Sequence, residues 1–346
     1  MDYFYQVDKG MEIPSRQAFS QAREKIGYTA FNELFEDSCK IAIGGEENKL
    51  RKGYRLFAVD GTSFVVGNMA RLSEYFGKST TVPGKAMCRI GGVVDILEEA
   101  IVSAEVSPFS VGERTLAIKQ IENLKAVPNA LYLLDRGYWS PELVTNIIDN
   151  GQKFLMRLAS NTGETKVKDE NGADLRRYSF ILPGGGEEIL LTNIPEEEMS
   201  DDELADLYAK RWGIETKYLE LKDRLQIDKF SGESVNIVLQ DIYSTLYISN
   251  LSAFLCAEAD DMIAAKAADK ENKYRQKANR AVCIAAFRRR FIDLVLMDDP
   301  EAQSSALCRL RDDISKCVSY VGFSKPRPRD KRKIKISRSI KRLPLL

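Results

Sequence analysis

Histidine does not occur among the 346 residues of the chain. Its absence removes Ser-His-Asp and Cys-His catalysis, histidine-ligated zinc and an imidazole general base. The six cysteines (Cys39, Cys88, Cys256, Cys283, Cys308, Cys317) form no Cys-x-x-Cys pair. They fall mostly in apolar or helical contexts and read as reduced thiols of a cytoplasmic protein. A signal-like start and an uninterrupted apolar span of about 18 residues are also lacking, so neither secretion nor membrane insertion is expected. Net charge is absent too, with 51 basic against 51 acidic side chains.

The charge is nonetheless unevenly placed. From Lys325 to Leu346 stand 10 Lys or Arg and a single acid, Asp330, which leaves 41 basic and 50 acidic side chains elsewhere. Such a tail is either a solvated extension or a phosphate-binding arm. With 44% apolar residues, the chain is long enough for one core domain and one or two smaller units.

Strands and helices alternate in a defined order. Helices are expected from Pro14-Ser15 through Lys25 and from Thr29 to about Ile43. Strand-like runs begin at Tyr54 and continue at Arg89 to Leu97 and Ala100 to Val106, an antiparallel meander. A helix at Gly112 to Leu124, a strand at Leu131 to Asp135, a helix at Pro141 to Asn150 and the strand KFLMRL follow. Next come Asn171-Gly172, RRYSFIL, Pro183 with Gly184 to Gly186, and EEILLTNI, which read as strands joined by tight turns. Ser200 and Glu203 make a capping-box pattern at the start of another helix. Further helices reach about Ser319.

Two acidic residues end predicted strands: Asp60 in YRLFAVDGTSF and Asp135 in ALYLLDRGYWS. Either alone fits an exposed turn or cap. A third, Glu215, lies in YAKRWGIETKYLELK, expected to form one helix. On that helix Tyr208, Arg211, Glu215 and Lys222 would share a stripe about 60° wide, with Leu204, Trp212 and Leu219 in nearly the same arc. Charges on a partly apolar face are costly unless paired, metal-bound or set against a charged substrate. An Arg211–Glu215 pair within the helix is the structural alternative. Three converging carboxylates would need a divalent cation, and hard oxygen ligands suit Mg²⁺ or Mn²⁺.

DGTSF, DRGYWS and the Tyr-x2-Arg-x3-Glu-x6-Lys spacing together resemble the three motifs of IS4-family DDE transposases. SRQAFSQAREKIGYTAFNELFED and FSGESVNIVLQDIYSTLYISNL resemble that family's flanking helical segments, so the resemblance covers most of the chain. It implies an α/β fold: a ribonuclease H-like mixed sheet flanked by helices, with an inserted β-rich subdomain and helical N- and C-terminal regions. The expected division is a helical region at 1–50, a catalytic core at 51–158 and 200–235, a β-rich insertion at 159–199, a helical region at 236–320 and a basic tail at 321–346. Relatives carry more sequence ahead of SRQAFSQAR, so a shortened N-terminal DNA-binding region is expected.

By the same resemblance, Asp60, Asp135 and Glu215 would be catalytic and hold Mg²⁺, or Mn²⁺, with Asp60 bridging two ions. Tyr208, Arg211, Trp212 and Lys222 would face DNA, with Trp212 either in the core or stacked on a displaced base. The partners would be double-stranded transposon ends and target DNA, with a homodimer assembled on DNA in the cytoplasm, at the nucleoid. Two other functions share these motifs: a catalytically idle DNA-binding descendant and a metal-dependent nuclease without strand transfer.

Overall fold

A computed structural model describes residues 15–45, 48–79, 82–163, 166–181, 186–267 and 274–321. The basic tail beyond Val321 and the Pro183 to Gly185 part of the expected turn lie outside them. The chain opens with α1 (Arg16–Glu24), whose first turn is capped by Ser15, and α2 (Tyr28–Gly44). Then come β1 (Arg55–Gly67), α3 (Ala70–Phe76), β2 (Ala86–Asp95), β3 (Ala100–Pro108), α4 (Glu113–Asn123) and β4 (Ala130–Leu134). Ser140 and Pro141 start α5 (Pro141–Asp149), Ser140 accepting from the Leu143 amide. The strands β5 (Lys153–Leu158), β6 (Arg176–Ile181) and β7 (Glu187–Thr192) follow.

The seven strands form one mixed sheet in the order β3-β2-β1-β4-β5-β7-β6. β1 pairs parallel with β4, and β4 with β5; the other pairings are antiparallel. An antiparallel meander continued by two parallel crossover strands is the ribonuclease H-like arrangement. β6 and β7 extend the edge of this same sheet. All five residues of β4 are buried, as expected for a central strand covered on both faces.

The remaining elements are α6 (Asp201–Ala209), α7 (Trp212–Leu219), a π turn (Glu220–Arg224), α8 (Val235–Ala267), β8 (Gln276–Ala278), α9 (Arg280–Val295), α10 (Pro300–Ser315) and β9 (Val318–Tyr320). One sheet face packs Leu56, Ala58, Leu131 and Leu133 against α6, α7 and α8. The opposite face packs Phe57, Val59, Tyr132 and Leu134 against α4 and α5. A separate apolar cluster joins the far half of α8 to α9 and α10. The 33-residue α8 thus links two cores over about 50 Å. At the start of β1, Arg55 is buried with Asp95 at 2.8 Å and also donates to the carbonyls of Ala42 and Ile43. Because the buried guanidinium is this fully bonded, it anchors α2 to the sheet instead of destabilising it.

Candidate active site

The parallel pairing of β1 and β4 places the two aspartates. Val59 lies opposite Leu134, so the next residues along, Asp60 and Asp135, stand side by side. Asp135 follows the end of β4 as expected, but Asp60 does not end its strand, because pairing with β2 carries β1 on to Gly67. Neighbouring strands are about 4.8 Å apart. Strand alternation turns both side chains towards the α6–α7 face, since Ala58 and Leu133 belong to that face's core.

Asp60 is half-buried, and among the described residues its Oδ1 accepts only from the neighbouring Gly61 amide, at 2.8 Å. Burial, with the charges of Glu113 and Asp135, outweighs this bond and the pull of Arg211, and the carboxyl is pushed up to about 6. Asp135 lies 4.0 Å from Arg157 and 3.5 Å from the Tyr208 hydroxyl. Arg157 is more closely engaged by Glu188, at 2.8 Å.

The expected single helix is broken in two. Between α6 and α7 the amides of Arg211, Gly213 and Ile214 bond three residues back, tightening one turn. Gly213 lies against the β2–β3 turn at this break, where a Cβ on it would stand 2.9 Å from the Ile96 side chain. After Leu219 the helix widens into the π turn, where Leu225 bonds to the carbonyl of Glu220. Tyr208, Arg211, Glu215 and Lys222 therefore do not lie on one continuous α-helical stripe.

Their environments differ accordingly. Tyr208 is buried and held against β4, its hydroxyl 3.4 Å from the Leu134 carbonyl. Burial, chiefly, raises that phenol well above its ordinary value. Arg211 is only 6% exposed and pairs with Glu215 at 2.9 Å. Burial works against its charge, but Tyr208, Asp135 and Glu215 hold the guanidinium above its ordinary value. Trp212 is 58% exposed, which excludes it from the core. Lys222 sits half-exposed in the π turn, with no hydrogen bond or ion pair among the described residues.

The structure thus brings Asp60, Asp135, Tyr208 and the Arg211–Glu215 pair to one sheet face and leaves Trp212 and Lys222 at its margin. Among the described residues, no three Asp, Glu or Cys side chains are gathered to hold a metal ion. Asp60 and Asp135 supply hard oxygens whose charges repel, and Asp60 has no ion pair among the described residues; that donor set fits a divalent cation. Glu215, as placed, is engaged by Arg211.

Three contributors escape the motif reading. Tyr218 donates to the Asp60 carbonyl, Glu113 packs on Gly61 from the opposite sheet face, and Arg157 reaches Asp135. Only Arg157 carries a signal in the sequence, as a charge within the apolar strand KFLMRL.

Comparison with known proteins gives consistent matches. A family described as Transposase DDE domain matches residues 51–251. The chain is 24% identical over 200 residues to the transposase-like InsZ of Escherichia coli K12, covering 54% of this chain and 66% of InsZ. It is 22% identical over 267 residues to InsG, the transposase of insertion sequence element IS4 in the same organism, covering 68% of this chain and 59% of InsG. It therefore spans less than two thirds of either relative. A piggyBac transposase, solved by cryo-electron microscopy as a synaptic complex with hairpin DNA, aligns with a TM-score of 0.43 and 10% identity over 74% of this chain and 57% of that one.

Proposed function

Because the chain belongs to the transposase DDE domain family, we propose that it cuts and joins DNA as an IS4-type insertion-sequence transposase. The observation that carries this reading is the register that sets Asp60 beside Asp135, under the helix that bears Glu215. DDE transposases depend on divalent metal, and Mg²⁺, with Mn²⁺ as a substitute, is the proposed ion. Bound there, such ions supply charge neutralisation and activation for in-line displacement at phosphorus.

The chain's own residues would divide the remaining work. Asp60 and Asp135 hold the cations, and Glu215 completes the set. Tyr208 fixes Asp135 from behind through its hydroxyl. Trp212, exposed, is available to stack on a base, and Lys222, without a partner among the described residues, to meet a phosphate as a compact point charge. The substrates would be duplex transposon ends and target DNA, engaged by a homodimer assembled on DNA at the nucleoid. No helix among the described residues is long and apolar enough to cross a membrane. The regions 1–50, 51–158 with 200–235, 159–199, 236–320 and 321–346 are the proposed units of this machine.

Single-turnover assays on duplexes with and without the element's ends test the proposal. End-specific nicking followed by joining supports it. Indiscriminate cutting would replace it with a plain nuclease, and binding without cutting with an idle descendant.

A further inference from the structure

Arg211 occupies an unusual position for a residue that the motif assigns to DNA. Its guanidinium is buried at the centre of the acidic face, with Nη2 bound to Glu215 Oε1 at 2.9 Å and the group 5.9 Å from the Tyr208 ring. Nε is buried and has no hydrogen-bond partner among the described residues. Its charge also acts on Asp60 and on Asp135. One cation therefore serves three carboxylates, and one of those carboxylates is bonded to it.

Resting on the metal-site reading above, we propose that Arg211 is a positioning residue that holds Glu215 away from the two aspartates, a latch that opens when divalent metal and DNA phosphate arrive together. The physical basis is competition. A divalent cation at Asp60 and Asp135 repels the buried guanidinium and attracts the Glu215 carboxylate, so the two cations compete for one carboxylate. Once freed, the guanidinium has a fork of donors, including the unused Nε, suited to a phosphate. The Glu215 side chain is 36% exposed, so its carboxylate can leave Arg211 by rotation about its own bonds while the Tyr218 bond to the Asp60 carbonyl keeps α7 in place. The cost of opening would keep the DNA-free protein from holding a complete, cutting-competent metal site.

The test measures Mn²⁺ binding to the full chain without DNA, by electron paramagnetic resonance of free Mn²⁺. Four single variants and one double are compared: Arg211→Gln, Arg211→Lys, Glu215→Gln, Asp60→Asn and Arg211→Gln with Glu215→Gln. Arg211→Gln should bind Mn²⁺ about tenfold more tightly than wild type. Arg211→Lys keeps a charge in the core but loses the fork, and should gain in the same direction even if the glutamine variant fails to fold. Glu215→Gln should change binding little in the wild-type background and should remove the gain in the Arg211→Gln background. That dependence on Glu215 separates a latch from simple removal of a nearby positive charge. Binding by both Arg211 variants no tighter than wild type, or a gain that survives Glu215→Gln, overturns the latch while the metal site stands. Mn²⁺ binding indifferent to Asp60→Asn overturns the metal site itself and the latch with it.

Discussion

The phenol of Tyr218 donates a hydrogen bond to the main-chain carbonyl of Asp60 at 2.7 Å, through space that only a glycine at position 92 leaves open. Gly92 faces Asp60 across the β1–β2 ladder, and a Cβ there would stand 2.8 Å from the Tyr218 hydroxyl. This bond ties α7, and so Glu215, to the strand that carries Asp60. Gly92→Ala should cost about 1–3 kcal/mol of stability through overpacking. Tyr218→Phe should cost about 1 kcal/mol through the missing bond. The double variant should be more stable than the sum of the two losses predicts, because the clashing oxygen is gone. Urea unfolding of the three proteins checks this; strict additivity would mean that the two residues do not interact.

Asp60 makes stability depend on pH in a defined direction. Its folded carboxyl titrates at about 6, above the ordinary 3.8, so between those values the folded state holds a proton that the unfolded state releases. Stability from this group is full below pH about 4, declines as pH rises and is lost above about 6. Asp60→Asn should therefore match wild type near pH 4 and exceed it by about 1–3 kcal/mol at pH 7 and above, in metal-free buffer. Thermal melts across this range provide the check. An asparagine variant less stable than wild type at pH 8 would contradict the assigned burial.

Replacing Asp60 or Asp135 by Asn, or Glu215 by Gln, keeps shape but removes a charge that a metal requires. Each variant should lower single-turnover strand cleavage to below about one part in a thousand, with duplex affinity retained. Gel-shift and cleavage assays on the same preparations decide the matter. Wild-type turnover by any variant would remove that residue from the site.

Much of this architecture is legible in the sequence, for local reasons. The aromatic and β-branched run in YRLFAVDGTSF and the short apolar run ALYLL are strong strand signals, and the structure closes them into β1 and β4. Ser200 and Glu203 form the capping box their spacing predicts. What the sequence hides is non-local. A 3.6-residue period runs smoothly through YAKRWGIETKYLELK, and nothing within it shows that the turn will tighten where Gly213 lies against Ile96. The burial of Arg211 and the packing of Glu113 on Gly61 likewise arise only when distant elements meet.

The basic tail supplies a further prediction. Deletion from Lys325 onward removes ten basic side chains. If they meet DNA phosphates, binding should weaken, and the log–log salt slope should fall by about 0.9 for each phosphate no longer neutralised. Fluorescence anisotropy over a salt series measures it. An unchanged slope would make the tail a solvated extension.

Anomalous scattering from Mn²⁺ in crystals of the protein bound to a cleaved DNA end tests the carboxylate site most directly. Manganese peaks coordinated by Asp60 and Asp135 are expected, with Glu215 released from Arg211 and in contact with the same ions. Peaks elsewhere, or none within reach of these carboxylates while DNA occupies the face, would contradict it.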